Sequence, residues 1–194
     1  MLGYWAMKAL SLVLCHSPKF IRKIFASFLG SIAWAVTPAW RKTMAVENIK
    51  ECLGVPDERA KEIAEASVRR FGRMLVEVLR FPTLTPENFR KSVNIEGAEY
   101  LEAAYKQDKG VILCTGHYGN WELLGASVAL LGYPILSIAR KQNNSAMDTF
   151  INEYRELTGQ KIAYNRGENS MIAINRIIKE KKMLGVLYDQ DTGK

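Results

Sequence analysis

A histidine and a glutamate stand five positions apart in the segment G-H-Y-G-N-W-E, which follows a short apolar run. These residues are His117 and Glu122. Five steps of about 100° along a continuous helix leave two side chains roughly 140° apart, so His117 must lie in a loop if the pair is to meet. Gly116 and Gly119 allow the unusual backbone of such a loop, and Glu122 is expected in the first turn of the next helix. A carboxylate on one imidazole nitrogen fixes the tautomer and stabilises the imidazolium, so the spacing predicts a general base for acyl transfer without a serine nucleophile.

Strands and helices alternate around this pair, and they decide whether a lone histidine is structural or catalytic. The hydrophobic pattern predicts strands over residues 93–95, 111–115, 135–138, 162–164 and 184–188, and helices over residues 98–107, 120–131, 145–157 and 170–181. This alternation indicates an α/β domain with a mostly parallel sheet flanked by helices. A long amphipathic helix over residues 57–81 precedes it and is interpreted as scaffold.

Polar side chains follow four of the predicted strands. In parallel sheets, sites gather at the carboxyl ends of the strands, so these groups are expected to lie near His117. They are Asn120, beside Gly119, after residues 111–115; Arg140, Lys141 and Asn144 after residues 135–138; residues 165–169 after residues 162–164; and Asp189, Gln190 and Asp191 after residues 184–188. Two aspartates after a buried strand could equally cap backbone amides, and Lys141, Asn144 and Arg155 could form a solvated helix face.

The net charge of +7 is concentrated in the first quarter of the chain. The sequence has 194 residues with 48% hydrophobic side chains, which excludes a disordered or fibrous protein. Residues 1–50 contain seven Lys or Arg and one Glu, whereas residues 51–194 are nearly neutral. We therefore predict a basic arm over residues 1–50 and a domain over residues 51–194.

Apolar residues interleave with the charges of the arm, which favours a membrane over nucleic acid. Residues 24–40 form an uncharged run of 17 residues, close to the roughly 20 that a spanning helix needs. A short or tilted span, an interfacial helix and a buried helix hairpin remain open. Trp5, Trp34 and Trp40 are candidate headgroup anchors. The pattern does not favour a secretory signal, and three cysteines without a CxxC spacing predict neither a disulfide framework nor a zinc site.

The string GVILCTGHYGNWELLG resembles the H-x-x-x-x-D/E box of glycerolipid and lysophospholipid acyltransferases. The continuation SIARKQNN and the later LGVLYDQDTGK narrow the resemblance to the bacterial lipid A biosynthesis acyltransferases, the lauroyl and myristoyl transferases that act late in Kdo-lipid A assembly. The likeness reaches back to R-K-T-M-A-V-E-N-I and covers nearly the whole chain.

The resemblance implies a transfer without a cofactor or metal. Acyl carrier protein carries a fatty acyl thioester, which a hydroxyl of a lipid A precursor of the Kdo-lipid IVA type attacks. His117 would be the base, Glu122 would orient it, and Arg140 would bind acceptor phosphate or stabilise negative charge. The D-Q-D residues would shape the acceptor pocket. The remaining predicted substrate contacts are Gly119, Asn120, Lys141 and Asn144.

The resemblance also implies the location and the partners. The arm would hold the enzyme on the phospholipid surface of the bacterial inner membrane, at its cytoplasmic face, with no nucleic-acid partner. Family members continue beyond the D-Q-D segment, so we expect the C-terminal part of the domain to be missing from these 194 residues and the residues alone to lack full activity. The alternatives are transfer to another glycolipid or lysophospholipid, a metal-dependent hydrolase, a nucleic-acid binder, or a noncatalytic membrane-surface protein.

Overall fold

The computed structural model describes residues 2–164, 172, 175, 177 and 179–190. These residues form two compact units. The sheet unit combines the residues up to Cys15 with those from Val78 onward, and the helical unit comprises His16–Glu77. The predicted division at residue 50 concerns membrane association and stays a prediction.

Parallel strands form the centre of the sheet unit. Its described strands are β1 (Val111–Thr115), β2 (Ile135–Ala139), β3 (Lys161–Tyr164) and β4 (Met183–Leu187), in the order β1-β4-β2-β3. All of the pairings are parallel, and Thr115 at the end of β1 lies opposite Leu187 at the end of β4. The carboxyl ends therefore meet at one edge, and the predicted α/β class with a parallel sheet is confirmed.

Helices surround this sheet and build the helical unit. The bounds are α1 (Leu2–His16), α2 (Lys19–Val36), α3 (Ala39–Leu53), α4 (Asp57–Val78), α5 (Ala98–Tyr105), α6 (Trp121–Leu130) and α7 (Ser145–Leu157), with short 3-10 helices at Phe81–Thr83 and Phe89–Lys91. The predicted helix over residues 170–181 lies largely outside the described residues. Its described members Ile172, Asn175, Ile177 and Lys179 are helical.

The core of the sheet unit lies on both faces of the sheet. Because successive side chains of a strand point to opposite faces, Ile135 and Leu136 enter different clusters. Ile135 packs with Val128 and Met183, and Leu136 packs with a second cluster that includes Leu184. Burial on both faces explains why β2 and β4 are mostly apolar and do not alternate apolar with polar residues.

Two predicted elements differ from the structure. The strand predicted at residues 93–95 is wrong, because the Val93 backbone N–H donates to the Phe89 carbonyl at 3.0 Å and extends the preceding 3-10 turn. The long helix predicted to reach residue 81 ends at Val78, and buried Phe81 instead opens a 3-10 helix that contains Pro82.

Helix α1 directs its polar side chains towards the sheet unit. The Tyr4 hydroxyl donates to Glu153 Oε2 at 2.6 Å, the Lys8 ammonium also pairs with Glu153, and the buried Ser11 hydroxyl donates to the Leu79 carbonyl at 2.6 Å. The opposite side of α1 is exposed and apolar, with Leu2, Trp5, Leu12 and Val13. Because Leu14 is buried on this helix as well, α1 has apolar side chains both on its packed side and on its exposed side.

In the helical unit, α2 and α4 approach closely at two glycines. A Cβ atom at Gly30 would lie 2.3 Å from the Arg69 carbonyl oxygen, and one at Gly72 would lie 2.3 Å from that of Ala26. The other side of α2 exposes an apolar stripe at four-residue steps: Phe20, Ile24, Phe28, Ile32 and Val36. The stripe is exposed rather than buried, which argues against the buried helix hairpin. Within the described part of the chain no single helix is long and apolar enough to span a bilayer, whereas α2 and α3 meet the length and composition test only as a pair bent by 100°.

Candidate active site

His117 lies in the loop between β1 and α6, as the spacing predicted. Gly119 adopts a positive φ of 62°, a conformation that favours glycine, and it turns the chain into α6. Asn120 caps that helix, because its Oδ1 accepts the Leu123 backbone N–H at 3.0 Å. The His117 ring meets Trp121 edge-on, with 4.9 Å between ring centroids. The loop therefore holds the imidazole at the carboxyl edge of the sheet.

Asp189, two residues beyond β4, contacts His117 at two points. The Nδ1 atom of His117 lies 2.9 Å from Asp189 Oδ1, and the His117 backbone N–H donates to Asp189 Oδ2 at 2.8 Å. The ring contact and the backbone N–H together hold the pKa of Asp189 below its usual value. A Cβ atom at Gly116 would lie 3.1 Å from Asp189 Cγ, so glycine at this position allows the close approach.

Glu122 is paired with Arg155 of α7. The Arg155 Nε donates to Glu122 Oε2 at 2.8 Å, and a terminal guanidinium nitrogen donates to Oε1 at 2.5 Å. The side chains of Glu122 and Arg155 are 12% and 17% exposed, so this two-pronged pair is largely shielded from water. The described contacts therefore pair Glu122 with Arg155 and His117 with Asp189, in place of the predicted contact between His117 and Glu122.

The loop after β2 carries the predicted basic groups. Arg140 and Lys141 are exposed. The Arg140 guanidinium has no hydrogen-bond or ion-pair partner among the described residues. Asn144 caps α7, since its Oδ1 accepts the backbone N–H groups of Ala146 and Met147 at 3.0 and 3.1 Å. Asn144 thus has a structural function in the described state.

The remaining predicted site residues lie after β3 and β4. Gln190 is exposed next to Asp189. Asp191 and the segment 165–169 lie outside the described residues. Within the described ranges, no group of three or more His, Cys, Asp or Glu side chains is arranged to hold a metal ion.

An apolar cavity of about 390 Å³ adjoins the loop that carries His117. Its wall includes Asn120, the cap of α6, and continues along that helix to Leu131. The other walls come from Leu113 of β1, Leu101 of α5 and residues 93–98, where a strand was predicted. A concave, mostly apolar cavity is the usual form of a small-molecule site.

Sequence reasoning missed two pairings in this site. Asp189 was expected either to shape the acceptor pocket or to cap backbone amides, and Arg155 was left as a possible solvated face. Asp189 does bond a backbone N–H, that of His117, but its contact with the His117 ring and the contact of Arg155 with Glu122 were not predicted. The signal for Asp189 was the parallel pairing of β1 with β4, which places residues 72 positions apart at neighbouring strand ends. The sequence indicates the contact of Arg155 less clearly, because the Arg155 side chain reaches α6 only when α7 packs with a particular rotation about its axis.

A parallel α/β sheet with a histidine and a carboxylate paired at its carboxyl edge agrees with the predicted class of acyltransferase. The family model described as bacterial lipid A biosynthesis acyltransferase matches residues 1–194. The chain belongs to this family.

Curated relatives have two different names. The chain is 28% identical to the lipid A biosynthesis palmitoleoyltransferase of Escherichia coli K12 over 172 residues, which cover 86% of the chain and 55% of that protein. It is 27% identical to a phosphatidylinositol mannoside acyltransferase of Mycobacterium tuberculosis over 116 residues, which cover 58% of the chain and 37% of that protein. The chain therefore spans only part of the length of the relatives that it matches.

Proposed function

We propose that the protein transfers a fatty acyl chain from acyl carrier protein to a hydroxyl of a lipid A precursor of the Kdo-lipid IVA type, at the cytoplasmic face of a bacterial inner membrane. The observation that carries this proposal is the pairing of His117 Nδ1 with the Asp189 carboxylate at 2.9 Å, at the carboxyl edge of the sheet. Family membership and the 28% identity to a lipid A biosynthesis palmitoleoyltransferase support the choice of acceptor.

His117 acts as the general base in the proposed reaction. With Nδ1 donating to Asp189, the Nε2 atom is free to take the proton of the acceptor hydroxyl as its oxygen attacks the thioester carbonyl carbon. The tetrahedral intermediate collapses as the carbon–sulfur bond breaks. The imidazolium then returns the proton to the thiolate of the carrier, which restores the base and leaves an ester and a thiol.

The charged residues around His117 have separate functions in the proposed reaction. Asp189 fixes the imidazole tautomer and stabilises the imidazolium, the function that the sequence assigned to Glu122. Glu122 forms an ion pair with Arg155, and this pair holds the first turn of α6, which follows the loop that carries His117. Arg140 and Lys141, which are exposed at the same edge, bind acceptor phosphate. The step requires no cofactor, and acyl carrier protein is a substrate.

The apolar cavity beside α6 receives the acyl chain. Its lining extends along the helix from Asn120 to Leu131, which is eleven helical steps or about 16 Å. The cavity begins at Asn120, which follows His117 by three residues in the loop between β1 and α6.

Helix α2 of the helical unit holds the enzyme at the lipid surface. The exposed stripe of α2, from Phe20 to Val36, offers apolar side chains to the headgroup region, and Lys19 and Lys23 are exposed on the same helix. Each basic residue near an anionic surface contributes about 1 kcal/mol, and less at high salt. This arrangement favours an interfacial position for α2.

A phosphatidylinositol mannoside is the second candidate acceptor. A relative named for that activity is 27% identical to the chain, nearly the same identity as the lipid A relative. The match to the lipid A relative covers 86% of the chain against 58%, which favours the lipid A precursor.

A transfer assay on the full-length protein tests the proposal. Lauroyl-acyl carrier protein is offered with tetraacylated Kdo₂-lipid A precursor, with a phosphatidylinositol mannoside, or with no acceptor, and products are read by mass spectrometry. We expect transfer to the lipid A precursor, and a loss of at least roughly a hundredfold in kcat for His117→Ala. The matched control is His16→Ala, because the chain contains two histidines. Undiminished transfer by His117→Ala would refute the mechanism. Acylation of the mannoside but not of the lipid A precursor would show that the acceptor is the mannoside.

A further inference from the structure

Helix α7 carries three polar side chains on one face, each in contact with another polar group. Asp148, Asn152 and Arg155 follow one another at steps of four and three residues, which places them on the same side of the helix. The Arg155 guanidinium donates to Asn152 Oδ1 at 3.3 Å, and the Asn152 amide donates to the Tyr164 hydroxyl at 2.9 Å. Since Arg155 also holds Glu122, the row joins α6 to the end of β3.

Asp148 is the buried end of this row. Asp148 is 8% exposed, and its two carboxylate oxygens accept hydrogen bonds from different parts of the fold. Oδ1 accepts the Gln142 backbone N–H at 2.8 Å, and Oδ2 accepts the Tyr164 hydroxyl at 2.5 Å. Burial alone raises the pKa of Asp148, but the Gln142 N–H, the Tyr164 hydroxyl and the charges of Lys141 and Arg155 together lower it, so the carboxylate is ionised at neutral pH.

The bond to Gln142 matters because of the loop in which it lies. All residues from Arg140 to Asn144 are exposed, and the loop follows the last residue of β2. Gln142 is two residues beyond Arg140 and one beyond Lys141. A buried, charged acceptor on its backbone N–H therefore fixes the part of the loop that carries both basic side chains.

We propose that Asp148 is a positioning residue that holds the Arg140–Lys141 loop in place for an anionic acceptor headgroup. This inference rests on the proposed function, in which those side chains bind acceptor phosphate. Asp148 does not touch the substrate. It acts through the Gln142 backbone, and Tyr164 and Asn152 keep its carboxylate in position.

Substitutions at Asp148 separate its two hydrogen bonds. Asp148→Ala removes both. Asp148→Asn keeps an oxygen for the Gln142 N–H. Tyr164→Phe removes the hydroxyl that donates to the other oxygen and accepts from the Asn152 amide, and it leaves the Gln142 bond in place. Thr158→Val is the matched control, because it removes a buried hydrogen bond, Thr158 hydroxyl to Arg155 carbonyl at 2.8 Å, at the far end of α7.

Two measurements on the full-length protein test the inference. Amide hydrogen exchange at Gln142 is expected to accelerate roughly tenfold or more in Asp148→Ala, with most of the protection retained in Asp148→Asn. In transfer from lauroyl-acyl carrier protein to tetraacylated Kdo₂-lipid A precursor, Asp148→Ala is expected to raise the acceptor KM roughly tenfold with a smaller change in kcat. Asp148→Asn is expected to restore the acceptor KM to near the wild-type value.

The outcomes distinguish this inference from the proposed function. Wild-type exchange and wild-type acceptor KM in Asp148→Ala would overturn the positioning role, and so would an equal rise in KM for Thr158→Val. If the wild-type protein transfers no acyl group, the proposed function fails and the headgroup role of the loop fails with it. Exchange at Gln142 then decides whether Asp148 holds the loop at all.

Discussion

Asp189 holds His117 through both the ring and the backbone. One carboxylate oxygen lies 2.9 Å from Nδ1 and the other accepts the backbone N–H at 2.8 Å. A carboxylate that contacted the ring alone would leave the imidazole free to swing with its loop. The double contact fixes ring and loop together, and it gives the β4 end a direct influence on the base.

Asp189→Asn tests that influence. The amide has no negative charge to stabilise an imidazolium, so we expect kcat to fall roughly a hundredfold or more while the free energy of unfolding changes little. Steady-state transfer kinetics measure the effect. Asp108→Asn is the control, because Asp108 pairs with Lys181 at the surface. Comparable kcat values for the two variants would remove Asp189 from the mechanism.

Arg155→Met tests the pair with Glu122. It leaves the Glu122 carboxylate shielded from water and without its partner, so we expect a loss of about 3 kcal/mol in the free energy of unfolding. Urea denaturation gives the measurement. Arg59→Met breaks an exposed pair with Glu62 and should cost less than about 1 kcal/mol. Equal losses in the two variants would mean that the shielding of Glu122 contributes nothing.

Gly116→Ala tests the space beside Asp189. The new Cβ would lie 3.1 Å from Asp189 Cγ, so the carboxylate must shift by a few tenths of an ångström. We expect a fall of roughly tenfold in kcat, measured in the transfer assay, with a nearly unchanged unfolding midpoint. Gly3→Ala meets no atom within 4 Å and serves as control. Unchanged kcat in Gly116→Ala would show that Asp189 tolerates displacement.

Leu131→Phe tests the acyl cavity at the end of α6 away from Asn120. A larger side chain shortens the space, so the preference for long over short acyl donors, as a ratio of kcat/KM values, should fall roughly tenfold. Competition between donors of different length measures this ratio. The control is Leu157→Phe, at an exposed position of α7. An unchanged preference in Leu131→Phe would place the acyl chain elsewhere.

Acid is expected to weaken the contact between α1 and α7. Hydrogen bonds from Lys8 and Tyr4 lower the pKa of Glu153, so the ionised carboxylate stabilises the fold above the usual glutamate pKa. This contribution is lost as the pH falls through the lowered folded pKa. Glu153→Gln should therefore unfold at a lower temperature than the wild type at pH 7, and the difference should shrink towards about pH 3.

Thermal unfolding across that pH range measures the difference. Glu156→Gln, at an exposed position of the same helix, provides the comparison. A difference between Glu153→Gln and the wild type that stayed constant with pH would contradict the ionised contact.

Hydrophobic patterning predicted the sheet unit well because its signals are local. The bounds of β1 and α7 agree with the prediction, since apolar runs and turn residues mark both ends. The strand predicted at residues 93–95 is wrong because the same local signals can mislead. Val93 and Ile95 have high β propensity but form no strand, because the Val93 backbone N–H is bonded to the preceding turn at Phe89.

The pairings of the site are non-local, and the sequence predicted them less well. His117 and Glu122 are close in sequence, which suggested a contact that the described residues do not form. The partners that they do contact depend on strand order and on the rotation of α7. The residue types at the edge were predicted because strand ends collect polar groups, whereas their pairing depends on the packed fold.

Helix α1 has a consequence for how the protein is handled. An apolar, basic N-terminal region is a common target for truncation when a more soluble protein is needed for experiments. Cutting before Cys15 would take away Tyr4, Lys8 and Ser11, which are partners of Glu153 and of the Leu79 carbonyl. It would also bare Phe150 and Tyr154, whose stacked rings lie beneath this helix and are 2% exposed with it in place. The truncated protein would lose the exposed apolar side of α1 but would expose a new apolar surface. A mild detergent is therefore the better way to keep the intact protein in solution.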